Sequence, residues 1–174
     1  SDNLVAHELA HQWWGDLVTC KDWAHLWLNE GFASYFEALW DEHDLGAEEF
    51  ACNMMRKARA ALDGGKGKPI VYRRYEDPDE QFDSRAYPKG AWVLHMIRRR
   101  LGDELYWKVL KEYATRYAYQ TVETSDLRRV IEDVTGRAFE RFFYAWTERS
   151  GAPVVTIEYE WQGNDKLAKV RVQQ

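Results

Sequence analysis

Cysteine is scarce in this sequence. The 174 residues include only Cys20 and Cys52, too few for the disulfide framework that holds many small secreted domains together. Their spacing also differs from the Cys-x-x-Cys pattern of cysteine-based zinc sites. We therefore expect two free thiols, and one disulfide between them stays an alternative.

Long apolar runs and an excess of positive charge are missing as well. No apolar run reaches the roughly 18 residues that a membrane-spanning helix needs. The net charge of −5 and the pI of about 5.6 argue against a nucleic-acid surface. The one basic run, 98–100, lies near a predicted helix end and is interpreted as solvated rather than as a phosphate site. The compartment is almost unconstrained, with the cytoplasm slightly favoured.

Material for a hydrophobic core is plentiful. Hydrophobic residues make up 45% of the sequence, and nine residues are tryptophans. Large aromatic side chains contribute much apolar area on burial, and at this length one globular domain is the default. The sequence therefore predicts a folded domain.

The most informative pattern is His7-Glu8-x-x-His11, which Glu30 follows after 18 intervening residues. An α-helix turns by about 100° per residue, so positions i and i+4 lie on one face. The imidazoles of His7 and His11 can therefore bind one ion. Glu8 is rotated away from that line and can address a water molecule instead of the metal.

Two imidazoles and one carboxylate leave a fourth tetrahedral position open for water, which is the arrangement of catalytic zinc. A bare His-Glu-x-x-His pattern also arises by chance on amphipathic helices. Here the first helix is apolar around the motif, at Val5, Ala6, Leu9 and Ala10. The apolar segment 26–28 begins a second helix that carries Glu30 inward. A buried carboxylate needs a cation nearby. The sequence therefore predicts a site for one Zn²⁺ ion.

Residues 5–37, VAHELAHQWWGDLVTCKDWAHLWLNEGFASYFE, resemble the zinc core of the aminopeptidase N family. The resemblance extends to Ala86-Tyr87-Pro88-Lys89-Gly90, which matches the family's Tyr-x-Lys-Gly signature, and to 124–127. It covers nearly the whole chain. The fold it implies is mainly α, the helical half of a thermolysin-like zinc peptidase catalytic domain followed by a C-terminal β-hairpin.

The same resemblance implies roles for five side chains and a peptide substrate. His7, His11 and Glu30 are the expected zinc ligands, Glu8 is the expected general base, and Tyr87 is the expected donor to the tetrahedral intermediate. Only Tyr87 depends on the resemblance alone, since from the sequence it also fits an ordinary buried tyrosine.

One family motif is missing from the sequence. Members carry Gly-x-Met-Glu-Asn upstream of the zinc helix, with a glutamate that binds the free α-amine of the substrate, whereas this sequence begins at Ser1 without it. We therefore expect a segment of a longer enzyme, to which the exopeptidase activity of that enzyme does not automatically transfer. Three functions stay open: an aminopeptidase, an endopeptidase or other hydrolase on the same core, and a zinc-stabilised interaction module. The intact Glu8 argues against the last, because metal binding alone needs no base.

Hydrophobic periodicity predicts seven helices. The helices are predicted at about 3–16, 25–44, 46–62, 88–101, 103–119, 125–135 and 138–149. Apolar stripes at 127–134 and 139–146 are predicted to be core. The remaining histidines, His25, His43 and His95, have no partner at ligand spacing. They are therefore expected at the surface or the edge of the core.

Two further segments depart from helical periodicity. Glycines at 64, 65 and 67 predict a loop over 64–85 that borders the substrate cleft. Alternation after Pro153 predicts a β-hairpin, which the resemblance implies is the start of a following β domain. We therefore divide the chain into 1–151, the helical zinc-binding part, and 152–174, the hairpin. The hairpin is expected to pack on the helices or to pair with another chain through its edge, which would produce an oligomer.

Overall fold

The computed structural model describes residues 2–64 and 67–174. Seven α-helices dominate these residues, and an antiparallel strand pair follows them. The helices are α1 Asp2–Ala10, α2 Trp27–Asp44, α3 Ala47–Asp63, α4 Gly90–Leu101, α5 Asp103–Arg116, α6 Thr124–Thr135 and α7 Glu140–Phe143. The predicted mainly α fold with a C-terminal hairpin is confirmed.

The core is built around α2, which packs against α1, α3 and α4. Its side chains Trp27, Phe32 and Tyr35 are at most 1% exposed. Both predicted apolar stripes belong to this core. The stripe residues that are buried or packed against the core are Leu127, Val130, Ile131, Val134, Phe139, Phe142, Phe143 and Trp146.

Helix α1 is shorter than its sequence pattern predicts. The helix is predicted to continue to about residue 16, but it ends at Ala10 and a turn follows. In this turn Gly15 has φ 147°, in the region that favours glycine. Trp14 reaches the core from the turn and is 4% exposed. The predicted helix over 11–16 is therefore wrong, because Trp14, four residues after the buried Ala10, is buried from a turn and not from a helix.

A short parallel strand pair holds the chain after this turn. Strand β1, Val18–Cys20, pairs with β2, Gln120–Val122, with Val18 opposite Gln120. The helix predicted at about 103–119 is confirmed as α5, which ends at Arg116. The pairing joins segments far apart in the sequence, so no local pattern predicted it.

Two predicted helix ends contain π-helical turns instead of regular α-helix. The predicted helix 138–149 consists of α7 and the π turn Tyr144–Glu148. A second π turn, Arg85–Lys89, includes Pro88 and leads directly into α4. Such turns are frequent at functional sites, and the second one carries Tyr87.

The loop prediction is confirmed for the described residues of that segment, while Gly65 lies outside them. The loop contains one 3₁₀ turn, Pro78–Gln81. Arg85, 2% exposed, closes it by donating from its guanidinium to the Asp83 carboxylate at 2.7 Å and to the Pro69 carbonyl at 3.1 Å. A buried charge with several partners fixes the loop to the start of the π turn.

The basic run at the end of α4 is only partly solvated. The Arg98 side chain is 11% exposed and pairs with Glu42 and Asp103, each at 2.8 Å. Arg99 and Arg100 are exposed. The interpretation as a solvated helix end is therefore wrong for Arg98, which joins α4 to α2 and to the start of α5.

Cys20 and Cys52 are both free, as the sequence predicted. Among the described residues, no helix combines the length and the apolar character that crossing a membrane requires.

The C-terminal hairpin does not pack on the helices. Strands β3, Thr156–Gln162, and β4, Leu167–Gln173, pair antiparallel with Tyr159 opposite Val170. Every residue of the two strands is exposed except Gln162, which is intermediate. The expectation that the hairpin packs on the helices is therefore wrong, and its apolar face stays open to solvent.

A glycine pair brings α2 against the π turn that carries Tyr87. A Cβ on Gly31 would lie 2.9 Å from the Gly90 Cα and 3.1 Å from the Ala86 carbonyl oxygen. These are backbone atoms, which cannot rotate away. Because Gly31 follows Glu30 directly, this contact sets the separation of the Glu30 and Tyr87 backbones.

We expect Gly31→Ala to destabilise the fold by about 1–3 kcal/mol, since the added methyl group must push two helices apart. At this chain length the melting temperature should fall by roughly 2–4 °C for each kcal/mol. Thermal unfolding monitored by circular dichroism measures the shift. Gly163→Ala is the matched control, because its new Cβ would meet only Trp161 atoms at 3.6 Å or more. Equal melting temperatures for wild type and Gly31→Ala would contradict the close contact.

Candidate metal centre

Three side chains predicted as metal ligands converge on one point. The Glu30 Oε2 atom lies 3.3 Å from His7 Nε2 and 3.2 Å from His11 Nε2. One ligand atom from each residue fits within 4.8 Å of the others. The three side chains are 12%, 21% and 13% exposed for His7, His11 and Glu30 respectively, so the cluster is shielded but reachable.

Two helices and a turn bring this cluster together. His7 lies in the last turn of α1, and Glu30 lies in the first turn of α2, which packs on α1. His11 is the first residue beyond α1. The i, i+4 spacing still brings both imidazoles to one side, although the second comes from a turn.

The turn also orients the His11 ring. Its Nδ1 lies 2.9 Å from the Trp14 carbonyl oxygen. Since a carbonyl only accepts, Nδ1 carries a proton and donates, which leaves Nε2, 3.2 Å from Glu30 Oε2, as the ring nitrogen that can serve a metal. A Cβ on Gly15 would come within 3.3 Å of that Nδ1 atom, so glycine keeps the space next to the ring.

His7 has a partner that sequence reasoning missed. Its Nδ1 atom lies 3.6 Å from the Glu37 Oε2 atom, an electrostatic contact longer than a hydrogen bond. Glu37 is seven residues after Glu30 on α2, which is two turns along the same helix face. That spacing is the signal that could have identified it. The Lys57 Nζ atom lies 3.4 Å from the same Glu37 oxygen.

The electrostatics of the cluster are those of tightly paired opposite charges. The Glu30 carboxylate first and Glu37 second raise the pKa of His7 to about 9. Burial opposes ionisation of Glu30, but its hydrogen bonds with His11 and His7 lower its pKa to about 2. The pKa of Glu37 is also lowered, since His7 and Lys57 outweigh burial.

The donor chemistry of this cluster fits zinc. Two imidazole nitrogens and one carboxylate oxygen are the ligand set of several catalytic zinc sites. Imidazoles oriented through their second nitrogen by a carbonyl or a carboxylate are also typical of metal-binding histidines. Calcium and magnesium favour oxygen-rich sites, and this cluster offers only one carboxylate.

Glu8 and Tyr87 line the same cavity as the cluster. Its volume is about 430 Å³, and its lining residues are Asn3, Leu4, His7, Glu8, His11, Glu30, Glu37 and Tyr87. Glu8 is exposed. The loop predicted over 64–85 was expected to border the cleft, but none of its described residues lines this cavity. That expectation is therefore wrong for this cavity.

Tyr87 lies beside the cluster with its hydroxyl proton retained. Its ring stacks on the His7 ring with 6.2 Å between the centroids and 15° between the planes. Burial and then the negative charge of Glu30 raise the pKa of Tyr87 to about 12. The hydroxyl therefore stays a hydrogen-bond donor at neutral pH.

The other histidines and Lys89 lie outside the cluster. His25 is buried, and its Nδ1 accepts from the Thr124 backbone N–H at 3.2 Å. His95 contacts the Tyr35 hydroxyl at 3.1 Å. Lys89 donates from Nζ to the Gly151 carbonyl at 3.0 Å, so it fixes the chain after the last helix.

Comparison with known proteins identifies relatives of this chain. The model of the peptidase family M1 domain matches residues 1–146. Aminopeptidase M1-C from Oryza sativa subsp. japonica is 37% identical over 159 residues, which cover 88% of this chain and 18% of that protein. The chain thus spans about a fifth of the length of such curated relatives.

Solved structures show the same fold. A variant of the M1 zinc metallopeptidase from Deinococcus radiodurans, bound to a Tyr-Ser-Ala substrate, superposes with a TM-score of 0.75 at 33% identity, over 88% of this chain and 34% of that one. Legionella pneumophila aminopeptidase A, in complex with aspartic acid, shares the fold with a TM-score of 0.83 at 24% identity, over 98% of this chain and 19% of that one. Since the family model covers most of these 174 residues, the chain belongs to peptidase family M1.

Proposed function

We propose that this chain is the metal-binding part of a zinc aminopeptidase that hydrolyses the N-terminal bond of peptides. The observation that carries the proposal is the convergence of His7, His11 and Glu30 on one point of a cavity that Glu8 and Tyr87 also line. Membership of family M1, and relatives named as aminopeptidases and zinc metallopeptidases, support it.

In this proposal His7, His11 and Glu30 hold one zinc ion. Zinc in such a site supplies Lewis acidity, which polarises a carbonyl and lowers the pKa of water. The carbonyl of Trp14 keeps the His11 ring in a ligating orientation. The Glu30 carboxylate also neutralises part of the charge of the ion.

Glu8 and Tyr87 carry the proton transfer and the charge stabilisation. Glu8 takes a proton from the attacking water and delivers it to the leaving amine. Tyr87 donates a hydrogen bond to the carbonyl oxygen of the substrate as that oxygen becomes negative. Its raised pKa keeps the required proton in place.

Hydrolysis of a substrate panel tests this proposal. The purified, zinc-loaded chain is assayed with aminoacyl amides and with N-blocked peptides, and Glu8→Gln is the catalytic control. We expect turnover that is lost in the control, and its confinement to free amines would identify an aminopeptidase. Cleavage of blocked peptides would replace the aminopeptidase with an endopeptidase. Zinc binding without turnover in either assay would overturn the proposal that this chain is active by itself. Failure to bind zinc would overturn the proposed zinc site.

Three further predictions concern the domain division, the location and self-association. The division into 1–151 and 152–174 stays a prediction, as does a cytoplasmic location. Self-association through the hairpin also stays a prediction, which an exposed apolar face supports: Ile157, Tyr159 and Trp161 are 68%, 66% and 58% exposed.

A further inference from the structure

A line of charged side chains runs from α3 to the candidate ligand His7. The Lys57 Nζ atom on α3 lies 3.4 Å from the Oε2 atom of Glu37 on α2. The same oxygen lies 3.6 Å from His7 Nδ1 on α1. The other ring nitrogen of His7, Nε2, faces Glu30 at 3.3 Å. Three helices therefore meet through one carboxylate oxygen, with the metal centre at one end.

The three side chains are largely shielded from water. Lys57, Glu37 and His7 are 14%, 22% and 12% exposed. An ion pair that is mostly covered by protein interacts more strongly than a surface pair and is less screened by salt. A lysine side chain held in this way also loses conformational freedom, which a surface lysine would keep.

The neighbouring residue on α3, Arg56, is also a cation, but it does not contact Glu37. Arg56 points to Glu49 at 2.9 Å, and the two side chains are 65% and 40% exposed. Arg56 thus forms an ordinary surface pair, which contributes little. It differs from Lys57 in partner and burial while sharing charge and helix, so it provides a matched control.

We propose that Lys57 is a positioning residue for the metal centre: its ammonium group holds the Glu37 carboxylate beside His7 Nδ1 and so fixes the ring with Nε2 directed at the metal. The inference rests on the proposed zinc site. Groups that orient a ligating imidazole commonly change metal affinity by about 10–100-fold when they are removed. Here Lys57 acts one contact further out, through Glu37.

The positive charge of Lys57 taken alone predicts the opposite change in zinc affinity. A positive group near a dication repels it, so its removal would strengthen zinc binding if charge were the only effect. Positioning predicts that its removal weakens binding, because Glu37 loses the partner that holds it. The sign of the change in affinity therefore separates the two effects.

Zinc affinity, measured by competition with a chromophoric chelator, tests the proposal on the 174-residue chain. We expect Lys57→Met to weaken zinc binding by about tenfold, Lys57→Arg to keep most of the affinity, and Arg56→Met to leave it unchanged. In a Glu37→Gln background, Lys57→Met should produce no additional loss, because its effect passes through Glu37. The visible absorption of the cobalt(II)-loaded protein should change in Lys57→Met and recover in Lys57→Arg.

Other results would overturn the positioning role. Unchanged or tighter zinc binding by Lys57→Met would do so. The same holds if Lys57→Met lowers zinc affinity as much in the Glu37→Gln background as in the wild type. Circular dichroism in the presence of chelator identifies a folding defect, in which case Lys57→Gln replaces Lys57→Met. Failure of the wild-type chain to bind zinc would overturn the proposed function instead, so the two failures are distinct.

Discussion

Glu8→Gln is expected to keep zinc bound while kcat falls by about 10²–10⁴-fold, the range for loss of a general base. Glutamine has nearly the same shape as glutamate but cannot accept a proton from water at neutral pH. Glu8 is exposed and outside the ligand cluster, so its amide should not disturb the ligands. Zinc content by atomic emission and turnover of an aminoacyl amide provide the two readouts.

His11→Ala is the contrasting variant for this experiment. It removes one of the converging nitrogen donors, so both zinc content and turnover should be lost. Loss of zinc from Glu8→Gln would mean that Glu8 belongs to the ligand set. Full turnover by Glu8→Gln would remove it from the mechanism and leave the exposed carboxylate as an ordinary surface group.

Tyr87→Phe is expected to lower kcat by about 10²–10³-fold with little change in KM, as for the loss of one donor to a developing oxyanion. A donor that acts mainly in the transition state contributes little to substrate binding. The ring would keep its stacking on His7, so the shape of the cavity is preserved. Steady-state kinetics on the same aminoacyl amide, with wild type as reference, measures both parameters.

Tyr144→Phe is the matched control for the loss of a phenolic hydroxyl. Tyr144 is 60% exposed and lies outside the lining of the metal cavity, so its kinetics should equal those of the wild type. A kcat for Tyr87→Phe within twofold of wild type would show that Tyr87 is a packing residue, the alternative that the sequence left open. A rise in KM at constant kcat would instead assign it to substrate binding.

The candidate ligands were predictable because their spacing is local. His7 and His11 are one helical turn apart, and the apolar segment before Glu30 indicates that it faces inward. Their convergence needed only that the first helix pack on the second. The role of Tyr87 was not predictable in this way, since its neighbourhood depends on a π turn and on the close contact between Gly31 and Gly90.

Other parts of the site and fold depend on tertiary contacts that sequence patterns do not encode. The end of α1 at Ala10 was missed because Trp14, buried from a turn, continued the helical apolar period. Lys57 was missed because its partner belongs to another helix. The β1–β2 pair was missed for the same reason. The hairpin, by contrast, was predicted correctly because its alternation and its turn lie within one short segment.

The position of His11 has a consequence for how a bound metal would contribute to stability. His7, His11 and the Trp14 carbonyl that orients His11 lie within residues 7–14, whereas Glu30 lies on the next helix. A chain that has formed only α1 and its turn already offers two donors, and the third arrives when α2 docks. An ion held by all three would therefore act as a removable cross-link between α1 and α2, closing the chain between residues 11 and 30 as a disulfide would.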